Sequence, residues 1–112
     1  MPESFFSKSD MSKLMSIAIE EMSEIHEDII KECGVLEAGN ATEDTIRNLK
    51  RHFHTVGGSA GLAGLNDISA VGVEGEVFMG KNESAPAAEI LPVIKELAAR
   101  LRELIDKTQS GG

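Results

Sequence analysis

The apolar residues between Ile46 and Gly64 recur in alternating steps of three and four, the spacing of one face of an α-helix. They are Ile46, Leu49, Phe53, Val56, Ala60 and Ala63. A second face of the same segment carries His54 together with Gly57, Gly58 and Gly61. Because a glycine in a helix interior costs about 1 kcal/mol relative to alanine, three glycines beside one histidine require a reason. Missing side chains leave the imidazole accessible, so we predict that His54 reacts with a partner protein.

Composition and charge limit the class of protein. The chain has 112 residues, of which 41% are hydrophobic and 27% are charged, which predicts one folded domain over residues 1–112 with a modest core. No stretch alternates apolar and polar residues over the length of a strand, so an all-α fold is expected. The net charge of −8 argues against nucleic acid or an anionic membrane surface as a partner.

Targeting signals and cysteine usage suit a cytoplasmic protein. The N-terminal segment lacks the apolar core of a signal peptide, and no apolar run approaches the length of a membrane span. The single cysteine, Cys33, excludes an internal disulfide and lies on an apolar helical stripe. We therefore expect a buried thiol and a cytoplasmic location.

Three further segments carry helical spacing. Behind a polar lead of residues 1–9, Ser9 or Asp10 is expected to cap a helix that ends near Cys33 before Gly34. The buried stripe of this helix is expected to comprise Met11, Leu14, Met15, Ala18, Met22, Ile25, Ile29 and Cys33. Thr42 is expected to begin the central helix, which continues to about Gly64.

The second half of the chain predicts two more helices. Asn66 or Asp67 is expected to cap the third, in which Gly72 and Gly75 indicate close packing or a close approach to the His54 side. A turn over residues 80–86 follows. The last helix covers about residues 87–107 and leaves residues 108–112 as a flexible tail. Because proline disrupts a helix interior, this helix either starts near Leu91 or bends at Pro92. Together the segments predict an antiparallel four-helix bundle.

The residues from Arg51 to Glu76, RHFHTVGGSAGLAGLNDISAVGVEGE, resemble a histidine-containing phosphotransfer (HPt) domain. The family pattern is a phosphorylated histidine followed by x-[hydrophobic]-Lys-Gly-[Ser/Gly/Ala]-Ala and a Gly-hydrophobic pair, with a glutamate or glutamine one helix later. The matching positions are His54, Val56, Gly58, Ser59, Ala60, Gly64, Leu65, Ile68 and Glu76.

The resemblance implies a phosphocarrier in a two-component phosphorelay. Such a domain accepts a phosphoryl group on histidine, here His54, from a receiver-domain aspartate or a histidine kinase, and passes it on. In the family the glutamate at the Glu76 position hydrogen-bonds the other ring nitrogen, which would set the tautomer. The chain has no Gly-rich ATP loop and no metal cluster, so we expect no cofactor, no metal site and no enzyme activity of its own.

The site departs from the family pattern at Gly57, where the family has a lysine near the phosphoryl oxygens. Lys50, one turn before His54, is the first candidate for the missing cation and Arg51 is the second. Gly57, Gly58 and Gly61 are expected to lie where a partner docks, although close helix packing would also explain glycines here.

Two other functions stay open on the sequence alone. Gly57 is compatible with a helical bundle that docks receiver domains without carrying phosphate, and Glu76 is then only a solvated side chain. The chain also suits the N-terminal phosphotransfer domain of a chemotaxis-type kinase. The remaining histidines, His26 and His52, are read as solvated surface positions. His52 and His54 lie on nearly opposite sides of a helix and cannot share one metal ion.

Overall fold

The computed structural model describes residues 8–111, with side chains for residues 10–110, and this part of the chain contains helices and no strand. The helices are α1 (Lys8–Glu37), α2 (Glu43–Leu62), α3 (Asn66–Lys81) and α4 (Ala87–Gly111). Each helix packs on its two neighbours, in the order α1, α2, α3, α4 and back to α1, which closes a ring. Short connections make successive helices antiparallel, so the predicted all-α four-helix bundle is confirmed.

The apolar stripe of α2 lies at the centre of the bundle. Leu49, Phe53, Val56 and Ala60 are fully buried. Ile46 and Ala63 are partly buried and pack against the edge of the core. The other helices contribute further buried apolar residues, and Cys33 is buried as expected. Burial raises the pKa of the Cys33 thiol, which disfavours the reactive thiolate.

The two ends of α2 follow the predicted boundaries closely. Thr42 precedes its first residue, and the backbone N–H of Thr42 donates to Thr45 Oγ1 at 3.1 Å. At the other end Gly64 has a φ of +79°, which glycine adopts without strain. The Leu65 N–H donates to the Ala60 carbonyl at 2.8 Å, which completes a Schellman ending.

Several predicted helix boundaries are wrong, beginning with the starts of two helices. Ser9 and Asp10 lie inside the first turn of α1, which includes Lys8. Asn66 and Asp67 likewise lie inside the first turn of α3, because Leu65, held by its bond to α2, occupies the N-cap position.

The third error concerns the end of α1, which passes Gly34 and continues to Glu37. One further turn buries Leu36, which is 3% exposed. The residue that terminates the helix is instead Gly39, two positions beyond Glu37, whose φ is +75°. The Asn40 N–H donates to the Val35 carbonyl at 3.1 Å, which is the same Schellman geometry as at the end of α2.

The predicted inner stripe is also wrong at the start of α1. Met11, Leu14 and Met15 are 51%, 44% and 36% exposed, whereas burial begins at Ala18. The reason is length, because α1 has 30 residues and the neighbouring α2 has 20.

The last helix begins at Ala87 and contains Pro92, so the predicted alternative start near Leu91 is wrong. Pro92 is exposed, and the Ala88 carbonyl that lacks its N–H partner belongs to an exposed residue that water can solvate. The helix continues to Gly111, with Thr108 Oγ1 donating to the Leu104 carbonyl at 2.8 Å. Residues 108–111 of the expected tail are therefore helical, and Gly112 lies outside the described residues. Between residues 8 and 111 no helix is both long and apolar enough to span a membrane.

Two half-buried histidines make the stability of the fold depend on pH. Burial between α1 and α4 lowers the pKa of His26, and the charge of Arg102 lowers it further. Burial also lowers the pKa of His52 and outweighs the opposing effect of Asp28 on α1. Neither ring is the freely solvated side chain that the sequence analysis expected.

We expect the free energy of unfolding to decrease as the pH falls from about 7 to about 5. A histidine whose pKa is lower in the folded state than in the unfolded chain stabilises the fold above about pH 6.5, and this contribution is lost on protonation. Urea unfolding of the wild type and of a His26→Gln/His52→Gln variant across this range measures the effect. The variant should lose less stability, and equal pH dependence in the two proteins would contradict the prediction.

Candidate functional site

The backbones of α2 and α3 lie in direct contact beside His54. A Cβ atom added at Gly72 of α3 would lie 2.7 Å from the Phe53 carbonyl oxygen and 2.8 Å from Gly57 Cα. Because real Cβ atoms do not approach other atoms so closely, no side chain larger than hydrogen fits at Gly72 without moving a helix. The close packing expected at Gly72 is therefore observed.

One turn away, the ring of Phe53 occupies the space above Gly75. A Cβ atom at Gly75 would lie 2.7 Å from Phe53 Cε1, and Phe53 is fully buried. The ring thus packs against bare backbone of α3. The two glycines together set the distance between α2 and α3.

A hydrogen bond holds the helices together on the other side of this contact. Ser69 Oγ donates to the Gly57 carbonyl at 2.7 Å. The same hydroxyl lies 3.2 Å from the position that a Cβ at Gly61 would take. Ser69 was not singled out in the sequence, and a serine in the first turns of a helix offers no distinctive signal.

His54 projects from α2 at this level and lies against a carboxylate of α3. Its Nδ1 is 2.9 Å from Glu76 Oε2, and the two side chains are 69% and 36% exposed. With the proton on Nδ1, the ring donates to Glu76 and keeps a free lone pair on Nε2. This arrangement holds the imidazole in one orientation and leaves the opposite nitrogen available as a nucleophile.

The three candidate glycines of α2 differ in their surroundings. A Cβ at Gly58 would meet nothing within 4 Å, so open surface lies there. A Cβ at Gly57 would lie 3.4 Å from Val73 Cγ2, and Gly61 faces Ser69. Gly57 and Gly61 therefore lie along the junction with α3, whereas Gly58 is exposed.

Two exposed apolar side chains of α3 lie close to Glu76 in the sequence. Val73 and Val77 of α3 are 53% and 49% exposed and lie three residues before and one residue after Glu76. The sequence analysis overlooked both, because they fall outside the buried stripe of α3. Their position beside Glu76 in the sequence was the available signal.

The cations near His54 all have acidic or polar neighbours. Lys50 Nζ lies 3.7 Å from Glu83 Oε2 and is close to Gly80, one turn beyond Glu76 on α3. Arg51 instead donates to Asn48 Oδ1 at 3.2 Å, along its own helix. Of the two predicted substitutes for the family lysine, only Lys50 extends toward α3. Its partner Glu83 lies in a loop and could not be assigned from helical spacing.

Metal-ligating groups do not cluster in the described residues: nowhere between residues 10 and 110 do three His, Cys, Asp or Glu side chains come together as metal ligands would.

Arg47, the remaining cation of this face, pairs with Asp44 at 3.0 Å. The structure brings together His54, Glu76 and the glycine junction, and Lys50 lies farther along α3, beside Gly80 and Glu83. It places His26 and His52 elsewhere, against α4 and α1.

Comparison with protein families gives a match over most of the chain. The family described as Hpt domain matches residues 13–110, which include every residue of the site. No curated protein and no solved structure matches the chain significantly. Hpt domains are helical bundles that act as phosphocarriers in two-component signalling, where they interact with receiver domains and kinases.

Substitution of the junction glycine tests the role of the close approach. We expect Gly72→Ala to lower the free energy of unfolding by about 1–3 kcal/mol, since the methyl group must push α3 away from α2. Gly58→Ala is the matched control: its methyl group meets open space, and helix propensity should stabilise the fold by up to about 1 kcal/mol. Urea unfolding measures both, and a Gly72→Ala variant as stable as Gly58→Ala would contradict the packing argument.

Proposed function

The chain belongs to the Hpt domain family, and we propose that it is a phosphocarrier that accepts and donates a phosphoryl group on His54. The observation that carries the proposal is the 2.9 Å contact between His54 Nδ1 and Glu76 on an otherwise exposed ring. That contact leaves Nε2 as the reacting atom. No second nucleophile or ATP site is needed, since the partners supply the remaining chemistry.

The transfer follows from this geometry. The lone pair of Nε2 attacks the phosphorus of an aspartyl phosphate on a receiver domain, and a nitrogen–phosphorus bond forms. The bond between phosphorus and the aspartate oxygen breaks, which releases the aspartate as a carboxylate. The imidazole gains positive charge, and Glu76 stabilises it at Nδ1 without having to take the proton. Reversal of the same step passes the phosphoryl group to the next aspartate.

Phosphoryl transfer depends on positioning and on cations near the equatorial oxygens. In this proposal the receiver domain brings its own Mg²⁺ and acidic residues to His54. Of the two candidate cations Lys50 and Arg51, Lys50 is the one that extends toward α3, and we propose that it adds a positive charge after exchanging its exposed partner Glu83 for the phosphoryl group. An exposed ion pair of this kind stabilises the fold by at most about 1 kcal/mol, so breaking it costs little free energy.

The docking surface is the junction of α2 and α3 around His54. Gly58 offers bare backbone, and Val73 and Val77 offer exposed apolar contacts next to Glu76. We propose that receiver domains of response regulators or hybrid kinases bind here, in the cytoplasm, where such relays operate. A histidine kinase is the alternative phosphodonor, either as a separate protein or as a larger chain containing this domain.

A second candidate function is supported by Gly57. Where the family has a lysine, this chain offers no charge, which would suit a domain that binds receivers without carrying phosphate. Labelling of His54 separates the two functions.

Incubation with phosphoramidate at mildly alkaline pH should add one phosphoryl group, seen as a single shift in intact mass. We expect the adduct to be acid-labile and base-stable, and to disappear in His54→Gln. His52→Gln is the matched control, a histidine of the same helix that should retain labelling. If neither phosphoramidate nor a phosphorylated receiver domain labels the folded protein, the docking function replaces the phosphocarrier.

Transfer kinetics test the role of Lys50. We expect Lys50→Ala to slow transfer from a phosphorylated receiver domain by about tenfold, the effect of losing one transition-state contact of about 1.4 kcal/mol. Arg51→Ala should transfer at the wild-type rate, because Arg51 points along its own helix. A Lys50→Ala variant with the wild-type rate would exclude Lys50 as the substitute cation.

Restoring the family residue gives a complementary test. A Cβ at position 57 makes only ordinary van der Waals contacts, with Val73 and with the backbone of Gly72, so Gly57→Lys should fold. We expect it to rescue the rate of Lys50→Ala. If the added lysine leaves that rate unchanged, the missing cation does not limit transfer.

A further inference from the structure

A serine hydroxyl of α3 bonds the backbone of α2 beside the site. Ser69 Oγ donates to the Gly57 carbonyl at 2.7 Å, and the two residues are twelve positions apart in the sequence. Gly57 lies three residues after His54 on the same helix. Both ends of the bond are partly buried, so water competes with it less than with a bond on the open surface.

The Ser69 bond closes a ring of hydrogen bonds around the turn between the two helices. The Leu65 N–H donates to the Ala60 carbonyl of α2 at 2.8 Å, and the Ser69 N–H donates to the Leu65 carbonyl at 2.9 Å. The Ser69 hydroxyl then returns to α2 at Gly57. The first turn of α3 is therefore attached to α2 through the turn and, independently, through one side chain.

Gly61 gives this hydroxyl the room that it needs. A Cβ at Gly61 would lie 3.2 Å from Ser69 Oγ, which is closer than most real Cβ contacts. A side chain at position 61 would therefore crowd the hydroxyl where it now bonds the Gly57 carbonyl. The absence of a side chain at Gly61 and the bond made by Ser69 thus belong to one arrangement.

The side of α3 that meets α2 carries Ser69, Gly72 and Glu76 in succession. Ser69 and Glu76 are seven residues apart, which is two helical turns, so both lie on the same side of α3. Gly72 lies between them, where the two backbones touch. It is about 4.5 Å along the axis from Ser69 and about 6 Å from Glu76. A tilt of α3 about Gly72 that moves Ser69 by about 1 Å therefore moves Glu76 by a similar distance.

The glycine contact and the hydrogen bond restrict different movements of α3. Gly72 limits how closely the helices approach, but a van der Waals contact has little directional preference. The Ser69 bond requires a definite direction and an oxygen–oxygen distance below about 3.0 Å. The contact of 2.9 Å between His54 Nδ1 and Glu76 has a similarly narrow requirement. A hydroxyl that prevents the tilt therefore also keeps the carboxylate on the ring nitrogen.

We propose that Ser69 is a positioning residue of the phosphotransfer site. Its bond to Gly57 fixes α3 on α2, so that Glu76 holds the proton of His54 on Nδ1 and leaves Nε2 free to react. This role rests on the proposed phosphocarrier function only where it concerns the rate of phosphoryl transfer. The tautomer of His54 depends on the geometry alone.

The His54 tautomer in Ser69→Ala tests the role of the hydroxyl. We expect the fraction of rings with the proton on Nδ1, measured from the ¹⁵N shifts, to fall toward the level in Glu76→Ala. Thr108→Val is the matched control, since it removes a hydroxyl bond of 2.8 Å to the Leu104 carbonyl within α4. Helical circular dichroism should stay unchanged in every variant. A Ser69→Ala protein with the wild-type tautomer would overturn the proposal, whatever its stability.

Labelling kinetics test whether Ser69 acts through Glu76. We expect Ser69→Ala to slow labelling by phosphoramidate about tenfold, because a shift of about 1 Å in a positioned group is costly in rate. Glu76→Ala should slow it at least as much, and Ser69→Ala should have no further effect in that background. Multiplying effects of the two substitutions would overturn the proposal. If the wild type takes up no phosphate, the phosphocarrier function fails and the tautomer alone decides the role of Ser69.

Discussion

The contact between the backbones of α2 and α3 is the constraint on which the rest of the site depends. Gly72 lies against the Phe53 carbonyl and Gly57, and no side chain separates the two helices there. Phe53 fills the space above Gly75, so the same contact belongs to the hydrophobic core. Because the helices are this close, the side chain of Glu76 on α3 reaches His54 on α2. Core packing and site geometry thus depend on the same residues.

This constraint explains how an exposed histidine can be held in one orientation. Exposed side chains ordinarily sample several rotamers, and ordering them costs entropy. Here one ring nitrogen contacts a carboxylate on a neighbouring helix, and the glycine junction and the Ser69 hydrogen bond hold that helix in place. The other ring nitrogen stays available on the surface. In the function proposed above, such a domain offers a positioned nucleophile, and its partner supplies the metal ion and the acidic pocket.

Much of the fold follows from helical spacing, because the stripes of α2, α3 and α4 are long and regular. The errors arise where tertiary contacts decide between similar local signals. Gly34 and Gly39 are both plausible helix ends, and burial of Leu36 selects the second. Leu65 displaces Asn66 and Asp67 from the cap position, because its N–H already closes α2.

The site was predictable to a similar extent. His54 and Glu76 stand out because the glycines and the family pattern mark them, and Gly72 stands out because a glycine weakens a helix. Ser69 and Glu83 could not be found, since their partners are distant in the sequence and neither lies in a distinctive pattern. The exposed start of α1 was unpredictable for a related reason: its spacing is that of a buried stripe, and only the shorter length of α2 leaves it uncovered.

The tautomer of His54 tests the central claim most directly. Long-range nitrogen–proton correlation spectra of the ¹⁵N-labelled protein, recorded at neutral to mildly alkaline pH, distinguish a protonated ring nitrogen from one with a free lone pair. The account predicts that Nδ1 carries the proton in the wild type, and that this preference is lost in Glu76→Ala and weakened in Gly72→Ala. A wild-type His54 protonated mainly on Nε2, with the same spectrum in Glu76→Ala, would contradict it.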